Sequence, residues 1–256
     1  TDQLADLKQG KHIRQITSGD HEITGMQVTG HGLLAARNDF NHAAELYLYN
    51  QKTGEGRKMT AVNGEIYAKI RMPKIEKRWI QTSDGKKMLT WVLLPPDFDR
   101  NKKYPALLYA QGGPQSAVSP FYSYRWNLQL MASKGYVVIA PNRRGLPTFG
   151  VKWNEDISKD WGGQAIQDYL SAVDVMKKEP YIDSNNIGAV GASHGGYAVY
   201  MLAGIHENRF AAFISHCGMF NMKSWYLSTE ELFFANWDLG GNFWSEPVPK
   251  SFTDYD

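Results

Sequence analysis

Between Glu22 and Thr60, apolar and polar residues alternate in three short runs, at 23–28, 32–36 and 45–49. The separators are Thr-Gly-His-Gly, Arg-Asn-Asp-Phe-Asn-His and Asn-Gln-Lys-Thr-Gly-Glu-Gly. A period of two bounded by turn-forming residues predicts consecutive antiparallel strands. Four such strands make one sheet meander, which exposes two edges and cannot bury its faces alone. The pattern then changes. Residues 78–81 and 88–94 flank Ser83-Asp84-Gly85 as the arms of a hairpin, and Pro95-Pro96 ends the second arm. Beyond it, apolar runs at 105–110, 136–140, 187–190 and 210–215 alternate with helical patterns. One of these runs through Trp126, Leu130 and Met131 to Ser133, and another covers 197–203. The clearest places Ile166, Tyr169, Leu170, Val173 and Met176 three and four apart and stops at Pro180. Strand-helix alternation of this kind predicts a mostly parallel sheet with helices on both faces.

Composition narrows the field of functions. The 256 residues are 43% hydrophobic and 21% charged with a net charge of +2, a globular balance with no basic run for a phosphate backbone or an anionic membrane. Nucleic acid is not an expected partner. No apolar run approaches the ~20 residues of a spanning helix, and Thr1 to Lys11 is too polar to be a secretory signal. Cys217, the single cysteine, allows no internal disulfide and reads as a packed small hydrophobe. No metal-ligand spacing and no G-x-G-x-x-G opening a helix occur, so neither metal nor cofactor is expected.

The chemistry gathers at Gly191-Ala192-Ser193-His194-Gly195-Gly196, a G-x-S-x-G between a predicted strand and a predicted helix. A turn tight enough to lift a serine hydroxyl above a sheet brings backbones so close that flanking positions cannot carry a Cβ. Ser193 is therefore the candidate nucleophile, and the His194 amide at the helix start the first candidate oxyanion donor. Gln111-Gly112-Gly113-Pro114 follows the run 105–110, where an α/β-hydrolase supplies its second donor. The amide of Gly113 or Gly112 is the candidate, and the Gln111 side-chain amide is a further one.

These residues, with Ala140-Pro141-Asn142-Arg143-Arg144-Gly145 and Gly-Ala-Ser-His-Gly-Gly-Tyr, resemble the prolyl oligopeptidase family of serine peptidases, in its acylaminoacyl-peptidase and dipeptidyl-peptidase branch. Asp160-Trp161-Gly162-Gly163 and Ala235-Asn236-Trp237-Asp238-Leu239-Gly240-Gly241 look most like bacterial enzymes of the dipeptidyl peptidase 5 type. The resemblance implies an α/β-hydrolase fold preceded by antiparallel strands from the end of a β-propeller, with residues 1–76 as propeller strands and 77–256 as the catalytic domain. It implies release of dipeptides or acylated residues from oligopeptide N-termini through an acyl-enzyme. It also places Met219, Phe220, Met222, Trp225 and Tyr226 in the wall of the pocket for the residue under attack, although a helix packing Phe220, Met222 and Trp225 into the core explains the same pattern. The compartment is undetermined, the resemblance leaning to the periplasm, and oligomeric state is left open, a homodimer included.

Two positions depart from the family. Gln111 stands where many relatives have His or Tyr, and His194 where Tyr is more frequent. In the family the acid and the base histidine lie further downstream than this chain reaches. The chain is therefore expected to be a fragment at both ends, without its own base and with an unpaired sheet edge after residues 210–215. His194 adjoins the nucleophile but should diverge from it, His206 reads as a solvated turn residue, and His216 as a pocket-wall candidate at the sheet edge. Asp160-Trp161-Gly162-Gly163 reads as structural, and Arg143 and Arg144 as partners of carboxylates. A carboxylesterase or thioesterase on the same fold, and a binding module that keeps the elbow without a triad, remain as rival readings.

Overall fold

Strands form where the alternation predicts them, and they run further than the pattern. The structure, a computed structural model, describes residues 5–8 and 12–255; of the polar opening stretch Thr1 to Lys11 only Ala5–Lys8 lies within the described residues. By internal contacts the chain divides into two units. One holds the chain up to Pro73 together with Ser119–Ser133, the other Lys74–Val118 and the chain from Lys134 onward.

In the first unit, β1 (Ala5–Lys8) pairs antiparallel with β2 (His12–Gln15). A second sheet is an antiparallel meander of β3 (Glu22–Thr29), β4 (Gly32–Asp39), β5 (His42–Tyr49) and β6 (Gly56–Lys58). The polar Arg37-Asn38-Asp39, taken from sequence as a separator, belongs to β4, because Arg37 lies opposite Glu45 and Asp39 opposite His42 in the ladder. Polar contacts hold this end of the strand without an apolar pattern: His42 Nδ1 lies 2.9 Å from Asp39 Oδ1, and the Arg37 guanidinium lies over the Tyr47 ring at 4.9 Å. Only Phe40-Asn41 turns the chain, with the Asn41 N–H donating to Asp39 Oδ1 at 2.8 Å. Ile16, Leu33, Ala35 and Tyr49 form a small core. The short α1 (Gly64–Tyr67) follows, and α2 (Leu128–Ser133), expected as the first helix of the alternating region, groups by its contacts with this unit.

The second unit is built on one six-stranded sheet in the order β12-β11-β9-β10-β8-β7. Its opening hairpin, β7 (Lys74–Gln81) and β8 (Lys87–Leu94), is antiparallel, and β8 pairs antiparallel with β10 (Val137–Pro141). From there β10, β9 (Tyr104–Ala110), β11 (Ile182–Ala192) and β12 (Ala212–His216) run parallel. This is the mostly parallel sheet of the α/β-hydrolase fold. Strand β10 is buried along its whole length, so it reads as the unbroken run Val-Val-Ile-Ala-Pro rather than as an alternation.

Helices α4 (Gln164–Met176) and α5 (His194–Ile205) lie side by side on this sheet. Ile166, Tyr169, Val173 and Met176 of α4 and Ala198, Val199 and Leu202 of α5 join Val92, Leu108, Ile139 and Ala189 in the main core. Two further helices, α6 (Met222–Ser228) and α7 (Leu232–Leu239), enclose a second core around Trp161, Tyr197 and Phe252, while α3 (Val151–Glu155) adds Trp153 to the main core. Asn221 starts α6 by accepting the Ser224 N–H at 2.9 Å. At the outer edge of the sheet, β12 leaves Ile214 58% exposed.

Candidate active site

Ser193 occupies the single residue between β11 and α5, with φ 57° and ψ −126°, and its side chain is exposed. A non-glycine residue at positive φ costs of order 1–3 kcal/mol and persists only where its surroundings over-determine it. Here they do. The Ser193 N–H donates to the His216 carbonyl at 3.0 Å, and its own carbonyl accepts the Tyr197 N–H at 3.0 Å, so the turn is pinned to β12 and to the first turn of α5. A Cβ on Gly191 would lie 2.8 Å from the Ala110 carbonyl and closer still to that of Gly195. One on Gly195 would collide with the Ala110 carbonyl. The glycines of G-x-S-x-G are thus required by backbone, which cannot move aside. A Cβ on Gly196 would stand 2.7 Å from Gly218 Cα and 2.9 Å from Ser215 Oγ of β12, so this glycine lets the start of α5 pack closely on the sheet edge.

The turn after β9 comes up beside the elbow. A Cβ on Gly112 would stand 3.0 Å from the Ala192 carbonyl and 3.8 Å from Ser193 Cβ, whereas Gly113, at φ +125°, folds back over the amides of Gln115 and Ser116. Of the two candidate donors, Gly112 lies against the nucleophile's own turn. The Gln111 side chain donates through Nε2 to Ser116 Oγ at 3.1 Å, inside its own turn. The His194 amide is the first of α5, and the first amides of a helix have no intrahelical acceptor. Its ring is fully buried, edge-on to Trp161 at 4.7 Å. Nδ1 lies 3.0 Å from Arg143 Nη2. Burial, with the Arg143 charge second, holds this imidazole well below its ordinary pKa, and with Nδ1 occupied by Arg143 and the ring fully buried it is not placed to take a proton from Ser193.

The two arginines part company. Arg144 pairs with carboxylates as expected, with Asp84 at 2.6 Å and Asp168 at 3.1 Å, and ties the turn of the β7–β8 hairpin to α4. Arg143 does not. Its acceptors are carbonyls, the Tyr169 hydroxyl and His194 Nδ1. The structural reading of Trp161 fits its place: it is buried, with Nε1 donating to Asp238 Oδ2 at 3.0 Å. Asp160 accepts the Gln164 N–H at 3.2 Å at the start of α4 and the Tyr255 hydroxyl at 2.6 Å.

Downstream, Met222 and Tyr226 are packed into the second core, while Met219 and Trp225 are partly buried against it. Phe220 is 74% exposed and meets Tyr200 edge-on at 5.4 Å. The five positions therefore divide between support and surface. Cys217 is exposed at φ 49°, not packed as expected, because it sits where the chain leaves β12. His206 is half-buried rather than solvated: its Nδ1 accepts the Phe210 N–H at 3.4 Å, and its ring meets Phe213 edge-on. His216 is exposed at the end of β12 and serves the elbow through its backbone carbonyl. No base is among the described hydrogen-bond partners of Ser193, which are those of its backbone. Among the described residues no group of three His, Cys, Asp or Glu could hold a metal ion, and no helix is long and apolar enough to cross a membrane.

Residues 122–254 match the prolyl oligopeptidase family. The chain is 58% identical over 240 residues to dipeptidyl-peptidase 5 of Porphyromonas gingivalis, a match covering 94% of this chain and 35% of that protein. It is 52% identical over 236 residues to dipeptidyl-peptidase 5 of Porphyromonas endodontalis, covering 92% and 34%. The chain thus spans about a third of the length of these relatives. Among solved structures it superposes on Pyrococcus horikoshii acylaminoacyl peptidase with a TM-score of 0.85 at 27% identity, over 95% of this chain and 38% of that one. Dipeptidyl peptidase 4 of Porphyromonas gingivalis shares the fold with a TM-score of 0.71 at 22% identity, over 86% and 32%.

Proposed function

The chain belongs to the prolyl oligopeptidase family, and from that premise we propose that it is the nucleophile-bearing part of a serine exopeptidase that releases dipeptides or acylated residues from the N-termini of oligopeptides. The observation that carries this reading is the exposed Ser193 hydroxyl at a positive-φ elbow, at the head of α5 and beside the Gly112 backbone. A serine so placed has a backbone donor on either side of the carbonyl that it attacks.

In this mechanism Ser193 Oγ adds to the scissile carbonyl as a base removes its proton. The carbonyl π electrons move to oxygen, and the N–H groups of His194 and of the Gly112-Gly113 turn receive the oxyanion. Collapse breaks the C–N bond, the leaving amine takes up the proton, and water then releases the acyl group from Ser193. Neither His194 nor His206 is read as that base: Nδ1 of the first, buried, is held by Arg143, and Nδ1 of the second accepts the Phe210 N–H. The side chain of the attacked residue lies against Phe220, Met219 and Trp225, with Met222 and Tyr226 as the packed support behind them. The strands β1–β6 are read as the closing strands of a propeller and the sheet that opens with β7 as the catalytic domain, whose start falls at Lys74, three residues before the 76/77 boundary expected from the sequence, because β7 begins there.

The test is steady-state release of N-terminal dipeptides and of acylated residues from peptides by the intact natural protein and its Ser193→Ala variant. Release that the substitution abolishes is the expected result. Hydrolysis of simple acyl esters without release from any peptide, or an active Ser193→Ala variant, would overturn the reading.

A further inference from the structure

Arg143 is fully buried, and every one of its five N–H donors has an acceptor, none of them a carboxylate. Nε donates to the Tyr169 hydroxyl at 3.1 Å. Nη1 donates to the carbonyls of Pro114 and Arg144 at 3.1 and 2.6 Å, and Nη2 to the Gln111 carbonyl at 3.2 Å and to His194 Nδ1 at 3.0 Å. A guanidinium offers no acceptor and keeps its charge, so His194 Nδ1 must accept and the ring proton sits on Nε2. Burying a cation without a counter-ion is costly unless dipoles replace its hydration. The dipoles chosen here are telling. Two are carbonyls of the Gln111–Pro114 turn, and a third belongs to the residue whose amide opens α5.

We propose that Arg143 is a positioning residue for the reaction assigned to Ser193: its planar fork ties the Gln111–Pro114 turn to His194 and so fixes the spacing of the two backbone limbs that receive the oxyanion. The proposal rests on the reading of Ser193 as nucleophile. Lysine could carry the charge here but not the spacing, because a single ammonium cannot reach both carbonyls and the imidazole along fixed directions. The other side of the same turn is held as well. Gln115 Nε2 donates to Asp238 at 3.1 Å, and the same buried carboxylate accepts from Ser158 Oγ at 3.2 Å and from Trp161 Nε1 at 3.0 Å. Trp161 in turn packs edge-on against the His194 ring. The turn is therefore clamped between a buried cation and a buried anion, and movement at either would open the gap between the limbs.

Arg143→Lys and His194→Asn in the intact natural protein test this, Asn keeping an acceptor near the Nδ1 position. Two inhibitors of one peptide sequence separate positioning from folding: an aldehyde, which adds Ser193 Oγ and forms an oxyanion, and a reduced amide, which lacks the carbonyl. For Arg143→Lys the expected result is a kcat about a hundredfold lower with KM changed less than about threefold, aldehyde binding weakened in step with kcat, and reduced-amide binding unchanged. Parallel weakening of both inhibitors, or no change in either, would overturn the proposal. If near-ultraviolet circular dichroism shows Arg143→Lys to be unfolded, the pair His194→Asn and His194→Leu decides. Selective loss of aldehyde binding in the Leu variant alone supports the role, and equal inhibitor ratios in both contradict it. An active Ser193→Ala variant would defeat the nucleophile reading itself. An inactive one beside an unaffected Arg143→Lys would defeat only this inference.

Discussion

Arg143 and Arg144 are consecutive, both buried, and differently employed. Arg144 spends its guanidinium on two carboxylates from distant parts of the second unit, Asp84 in the hairpin turn and Asp168 on α4, and stacks over Trp153 at 4.9 Å. Its charge is locally cancelled and its work is structural. Arg143 meets only neutral acceptors, and these converge on the backbone around Ser193. The difference teaches that a paired arginine holds elements together, whereas one surrounded by dipoles is kept for the geometry and field it imposes.

The largest expected effect breaks the structural half of this contrast. Arg144→Met leaves Asp168, which has no exposed surface, as an uncompensated buried carboxylate, and should cost about 3–5 kcal/mol by urea unfolding. Arg143→Lys, which leaves no unpaired carboxylate behind, should cost about 1–3 kcal/mol in the same experiment. Equal losses for the two would erase the distinction. Next comes Gly195→Ala, whose Cβ collides with the Ala110 carbonyl. It should lose about 1–3 kcal/mol and most activity, since relief of the clash must move either β9 or the elbow.

Acid sharpens the comparison further. The Arg144 hydrogen bonds hold Asp84 well below the usual carboxylate range, so its contribution to stability is present above about pH 4 and is lost as the pH falls through the depressed value. Burial raises Asp168 despite Arg144, so its contribution has the opposite sign, present at low pH and lost as the pH rises through the raised value. Asp84→Asn should therefore flatten the acid limb of a stability profile, while Asp168→Asn should steepen it. The smallest effect is expected at the rim, where Asn221→Ala removes the cap of α6 at about 1 kcal/mol in thermal unfolding.

The elbow was legible in the sequence because its steric demand acts within five consecutive residues, from Gly191 to Gly195. The sheet was legible for a similar reason: buried parallel strands and the Ile166-to-Met176 stripe of α4 each write their environment into a local pattern. Arg143 was not legible, since its acceptors Pro114, Gln111 and His194 lie 29, 32 and 51 residues away. Nor were α3 and α7, short helices whose apolar residues are not confined to one face. Phe233 and Trp237 of α7 are 84% and 66% exposed while Ala235 and Leu239 are buried. Cys217 misled for the same reason in reverse, because small size suggested packing where the chain in fact leaves the sheet edge.

Labelling of the intact natural protein with a fluorophosphonate, followed by peptide mapping, tests the role of Ser193 and its surroundings most directly. A single adduct on Ser193, absent in Ser193→Ala and formed about a hundredfold more slowly in folded Arg143→Lys, is the predicted result. An adduct on another serine, or labelling of Ser193 at the same rate in both proteins, would contradict it.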